Sequence, residues 1–225
     1  MTTFALIPGA GGAAWYWHRL VPLLQEAGHE VLAVDLPGDD EGAGLAEYTR
    51  RTVEAIGGRD DVVIVAQSLG GFTAPMVATT IPVRAIVFVN AMIPLPGETP
   101  GAWWASTGWQ QARELAAEVG GYGRQFDPFV SFLHDVSPEV LATGEAHQRP
   151  EAEVVFASVC DFEVWPSVPI RVVAGADDRF FPVDFQRALA RQRLGLEADV
   201  LPGGHLIALA RPSELAGYLL TLSAS

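Results

Sequence analysis

The chain has 225 residues, 49% hydrophobic and 18% charged, a balance that suits a globular protein with a sizeable core. Its 14 basic and 27 acidic residues give a net charge of −13, which argues against nucleic acid or an anionic membrane as partner. Every basic residue is arginine, and the one cysteine, Cys160, excludes an internal disulfide and a cysteine-based metal cluster.

Residues 4–7 read as a buried strand, entered without a charged leader, and no apolar run is long enough for a bilayer; a cytoplasmic location is expected. The next stretch, Pro8-Gly9-Ala10-Gly11-Gly12, is glycine-rich, but Trp15-Tyr16-Trp17 follow and are too bulky for a dinucleotide loop. It reads instead as a backbone loop with free N–H groups. A helix over 17–27 is expected to end at Gly28, with Pro22 either kinking it or marking a late start. Residues 31–34 form a second strand, after which Asp35 suits a loop anchor. Leu45, Tyr48, Thr52, Val53 and Ile56 share a helix face that stops at Gly57-Gly58.

The run Val62-Val63-Ile64-Val65 has no polar alternation, as in a parallel strand buried on both faces. Ala66-Gln67-Ser68-Leu69-Gly70-Gly71 follows, with small residues on both sides of a serine. A sharp strand-to-helix turn needs such neighbours, because it holds its serine in strained geometry. Ser68 alone could simply cap a helix; what favours a nucleophile is the set of partners further along. Pro75 is expected to bend the helix after the turn, and 85–89 is the next strand.

From about 92 to 165 the strands cease. Helical patches at 103–119, 129–136, 138–146 and 151–159 lie among glycines and prolines, which reads as a helical lid inserted between two strands. Its aromatics, among them Trp103, Trp104, Trp109, Phe129 and Phe132, are expected mainly to hold the insertion together. Strands resume at 170–174 and 198–201, around a helix at 184–193, and Pro212 opens the last helix. Six strands alternating with helices predict one α/β domain over 1–225, a doubly wound, mainly parallel sheet.

A serine hydroxyl needs a base within reach, and that base needs a carboxylate to orient it. Of the five histidines, His29 is expected to face solvent, His18 lies in the first helix, and His134 and His147 lie in the lid. His205 alone follows a late strand, beside Gly203-Gly204, and is the candidate base. Asp177 and Asp178 both stand in the loop that must face it, whereas Asn90 is not acidic. The backbone N–H groups of Ala10 and Leu69 are the natural pair for an oxyanion.

These segments resemble the α/β-hydrolase family, most of all the branch of plant-type methylesterases, hydroxynitrile lyases and their bacterial relatives. The likeness rests on FALIPGAGGAAWYWHRLVPLLQEAGHEVLAVDLPG at 4–38, VAQSLGG at 65–71, AGADDRFFP at 174–182 and PGGH at 202–205. The acid-loop spacing of that fold implies Asp178, with Asp177 as the alternative, and the order Ser68, Asp178, His205 is the family's. Pro8 stands where the branch usually has histidine. Its lyases carry a lysine directly after the histidine and a threonine in the oxyanion loop, where this chain has Leu206 and Gly9. The resemblance implies an ester hydrolase without metal or cofactor, acting on a small to medium apolar substrate through an acyl-enzyme. A carbon–carbon bond hydrolase and a binder without turnover are the alternatives; monomer and homodimer both stay open.

Overall fold

The computed structural model describes residues 1–223. Six strands, β1 (Thr3–Ile7), β2 (Glu30–Ala33), β3 (Val62–Gln67), β4 (Ala85–Val89), β5 (Ile170–Gly175) and β6 (Asp199–Leu201), form one sheet in the order β2-β1-β3-β4-β5-β6. Every pairing is parallel, with β1 aligned to β3 from Thr3↔Val62 to Ile7↔Ala66. The apolar runs read from the sequence are the inner strands: β1, β3 and β4 are buried at every position, while the edges β2 and β6 are not.

Alternation along these strands feeds two cores. Phe4, Leu6, Val63, Val65, Val87, Val89 and Val173 face α1 (Val21–Glu26) and the last helix, Pro212–Ser223, whose Leu215 and Leu219 are fully buried. Ala5, Ile7, Ile64, Ala66, Ile86, Phe88 and Val172 face α2 (Leu45–Ile56), α3 (Thr73–Thr80) and the helix Val183–Leu194. Each fully buried Leu, Ile or Phe contributes about 1.5–3 kcal/mol relative to exposure, so these two layers fix the sheet.

After β1 the chain runs out to the edge strand β2 and then returns across β1 to β3. This reversal leaves a crevice at the carboxyl ends of β1 and β3.

Between β4 and β5 lie α4 (Pro100–Ser106), α5 (Trp109–Gly120), α6 (Pro128–Ser131), α7 (Pro138–Gly144) and α8 (Glu153–Ala157). The patch expected at 103–119 is broken at Gly108, whose left-handed φ of 70° restarts the chain as α5. The patch expected at 129–136 yields only the single turn of α6. Pro22 marks a late start: a 3-10 turn at Ala14–Trp17 precedes α1, with Pro22 in the first helical turn. Pro75 does not bend an α-helix. The chain winds as 3-10 over Ser68–Phe72, and Pro75 falls in the first turn of α3, where its N–H is not needed. His29 is half-buried: it accepts from the Thr2 N–H at 3.3 Å and meets Phe4 edge to face, instead of facing solvent.

Helices in the remainder are α9 (Val183–Leu194), α10 (Ile207–Ala210) and α11 (Pro212–Ser223). Among the described residues no helix is long and apolar enough to cross a membrane.

Candidate active site

The turn after β3 explains its own sequence. Ser68 has φ of 50°, a left-handed conformation that costs a serine of order 1–3 kcal/mol. Close packing on both sides holds it there. A methyl group at Gly70 would stand 2.5 Å from the Pro8 carbonyl oxygen, and one at Gly71 would stand 1.9 Å from that of Met92. Gly9 is constrained in the same way, since a Cβ there would stand 2.5 Å from Gln67 Oε1 and 2.8 Å from Ser68 Cβ. The glycine loop therefore lies flat against the serine, and Ala66 fits without disturbing the turn.

Ser68, Asp178 and His205 come together at this point. His205 Nδ1 is 2.9 Å from Asp178 Oδ2, and His205 Nε2 is 3.1 Å from Ser68 Oγ. With Nδ1–H donating to the carboxylate, Nε2 is left to accept the serine proton. Asp178 is fully buried, and four donors compensate its desolvation. The N–H groups of Phe180 and Phe181 each donate to Oδ1 at 2.8 Å, while His205 and Gln186 donate to Oδ2. Asp177 is exposed and instead accepts from the Gly203 N–H at 3.4 Å. The phenyl rings of Phe132, Phe180 and Phe181 stand 5.0–5.1 Å from the imidazole and shield it.

The loop that carries His205 is held by residues sequence reasoning passed over. Asn90, fully buried at the end of β4 with φ of 46°, donates to the carbonyls of Gly204 at 2.9 Å and His205 at 3.1 Å. Its Oδ1 accepts from the Gly175 N–H at 2.6 Å, which ties the loops of Asp178 and His205 together. Gln67 donates to the His205 carbonyl at 3.3 Å, and Asp135, from the insertion, accepts from the Gly204 N–H at 2.7 Å. A polar residue at the carboxyl end of a buried strand was the available signal for Asn90.

Leu69 is the second residue of the 3-10 turn, where a backbone N–H has no acceptor within the turn. The Gly9 carbonyl accepts from the Gly12 N–H at 3.0 Å. In a planar trans peptide the Ala10 N–H then points the opposite way. Asp35 anchors the end of this loop as expected, accepting from the Ala14 N–H at 2.9 Å and pairing with Arg149. Burial pushes the Asp35 carboxyl up, but the Arg149 hydrogen bond and the Ala14 N–H outweigh that and hold it below the usual range.

Ser68 and His205 open into a cavity of about 560 Å³. Pro8, Gly9, Trp15, Tyr16, Leu206 and Leu209 line it from the sheet side, and Phe129, Phe132, Leu133, Leu141, His147 and Arg149 line it from the insertion. Trp15 stacks with both His18 and His147. Arg179 lies elsewhere: it sits over the Tyr122 ring at 4.8 Å, in a cavity that includes neither Ser68 nor His205.

A doubly wound parallel sheet with a serine on a strained turn after its third strand, and an aspartate and histidine from later loops, defines the α/β-hydrolase class. The chain belongs to the alpha/beta hydrolase family, whose pattern it matches over residues 4–217. Methylesterase 7 of Arabidopsis thaliana is 28% identical over 252 residues, covering 98% of this chain and 95% of that one. Alpha-hydroxynitrile lyase of the same plant is 34% identical over 103 residues, 40% of each chain. The crystal structure of polyneuridine aldehyde esterase superimposes with a TM-score of 0.81 at 23% identity, covering 99% of both chains.

Proposed function

We propose that this chain is a cofactor-independent serine hydrolase that cleaves a small to medium apolar ester through an acyl-enzyme. The observation that carries this reading is the relay of Ser68, His205 and Asp178 at 3.1 and 2.9 Å, opening into a largely apolar cavity. Ser68 Oγ attacks the ester carbonyl as its proton passes to His205 Nε2. The N–H groups of Ala10 and Leu69 hold the oxyanion, and His205 returns the proton to the departing alcohol. Water, activated by His205, then releases the acid and regenerates Ser68. Asp178 holds the imidazole in the required tautomer throughout. The insertion over 92–165 acts as a lid, supplying the far wall of the cavity, and the whole chain works as one domain. Relatives named as methylesterase and esterase support ester hydrolysis as the chemistry.

The partial likeness to a hydroxynitrile lyase raises cyanohydrin cleavage as the competing reaction. A lyase must stabilise cyanide as it departs, which calls for a cation beside the base. Apolar Leu206 follows His205 here, the chain has no lysine, and Arg149, the one arginine lining the cavity among the described residues, is engaged by Asp35. The test compares an aryl ester with an aromatic cyanohydrin on one preparation, corrected for spontaneous decay. Faster ester hydrolysis, lost in Ser68→Ala, is expected. Faster cyanohydrin cleavage that disappears in the same variant would replace hydrolase with lyase.

A further inference from the structure

The Ala10–Gly11 peptide is gripped from outside the loop. The Gly11 N–H donates to Glu151 Oε2 at 2.5 Å, although Glu151 lies 140 residues away in the insertion, just before α8. The other carboxylate oxygen, Oε1, accepts from the Tyr48 hydroxyl of α2 at 2.5 Å. Backbone contacts close the same joint. A Cβ on Gly11 would stand 2.5 Å from the Arg149 carbonyl oxygen, and the Ala152 N–H donates to the Gly38 carbonyl at 2.7 Å.

This matters because Ala10 sits between two peptides. The one before it is set by the Gly9–Gly12 turn, and the one after it by Glu151. Gly11 and Gly12 have φ of 82° and 68°, a region glycine enters without strain and so does not itself hold rigid, and Pro8 offers no N–H to brace the start of the loop. Without the carboxylate, nothing polar restrains the second peptide. We infer that Glu151, itself held by Tyr48, is a positioning residue that fixes the oxyanion donor at Ala10. The assignment rests on the hydrolase reading above, and it makes the segment before α8 part of the catalytic framework.

The test uses the full chain as wild type, Glu151→Ala, Glu151→Gln and Tyr48→Phe. Four quantities are measured: kcat and KM for an aryl ester, melting temperature, and the affinity of an aryl trifluoromethyl ketone. Ser68 Oγ adds to the ketone carbon, its proton goes to His205, and the hemiketal oxyanion that forms occupies the same donors as the reaction. A loosened donor should cost less than a deleted one, so Glu151→Ala is expected to lower kcat about tenfold or more with KM changed by less than about twofold. Ketone affinity should fall in parallel with kcat. Glu151→Gln keeps an acceptor for Gly11 and should recover most of the loss, and Tyr48→Phe should show a smaller loss of the same kind. A folded Glu151→Ala with unchanged kcat and ketone affinity would overturn the assignment, as would a change in KM alone. Should both Glu151 variants fail to fold, a folded Tyr48→Phe with unchanged kcat overturns it equally. A wild type inactive on every ester refutes the hydrolase reading first, a result distinct from all of these.

Discussion

At the scale of single residues, adjacent aspartates have separate tasks because of where their oxygens point. Asp178 is buried and receives His205 Nδ1, Gln186 and two backbone N–H groups, whereas Asp177 is exposed and closes a turn with Gly203. Asp178→Asn keeps the volume but can present an N–H to the imidazole, favouring the tautomer that cannot accept from Ser68. Turnover should fall roughly ten-thousandfold. Asp177→Asn retains a side-chain oxygen for the Gly203 N–H and should cost far less. Steady-state kinetics on the two variants decide the matter, and the reverse order would move the orienting role to Asp177. The two aspartates are equivalent to a reader of composition and spacing; only the acid-loop pattern of the resembling family separates them. Asn90 was harder still, since its work is done by hydrogen bonds to loops 85 and more residues away.

At the scale of elements, the strands were legible, and the insertion was legible as a run of helices but not in where those helices break. Unbroken runs such as Val62–Val65 report burial on both faces directly, so β3 and β4 were visible from their hydrophobicity alone. The insertion is built from short helices held by tertiary contacts, where periodicity has too few turns to register. Its aromatics do mostly hold it together: Trp103, Trp104 and Trp109 pack among themselves and on Phe180 and Phe181, and Trp109 Nε1–H donates to the Phe180 carbonyl at 2.6 Å. Phe132, however, lies against His205 and lines the cavity. The start of the insertion is pinned to α9 by a half-buried ion pair, Glu98 with Arg193, the latter also donating to the Ile93 carbonyl at 2.7 Å. Burial pushes the Glu98 carboxyl up, but Arg193, with the Leu95 N–H and Ser106, outweighs it and holds the group below the usual carboxylate range. A carboxyl depressed on folding stabilises the protein above its unfolded pKa, and that contribution is lost as pH falls through the folded value. Glu98→Gln leaves the half-buried Arg193 without a counter-charge and should destabilise by about 1–3 kcal/mol at neutral pH. Urea denaturation at several pH values should show the gap between wild type and variant closing below the ordinary glutamate range. A gap independent of pH would mean that packing, not charge, is what Glu98 supplies.

At the scale of the whole molecule, the site exists because of topology. The reversal between β2 and β3 leaves the carboxyl ends of β1 and β3 unobstructed, so the Gly9–Gly12 loop and Ser68 meet there. Later loops, after β5 and β6, bring Asp178 and His205 to the same edge, and the insertion between β4 and β5 walls the cavity above them. The central claim is that this convergence makes Ser68 a nucleophile. Intact-protein mass spectrometry after treatment with a fluorophosphonate tests it most directly. The serine oxygen attacks phosphorus, fluoride leaves, and one phosphonyl group remains on the protein. One adduct per chain is expected, mapped by peptide analysis to Ser68 and absent from a folded Ser68→Ala. An unlabelled wild type, or an adduct that persists at another serine in Ser68→Ala, would contradict the account.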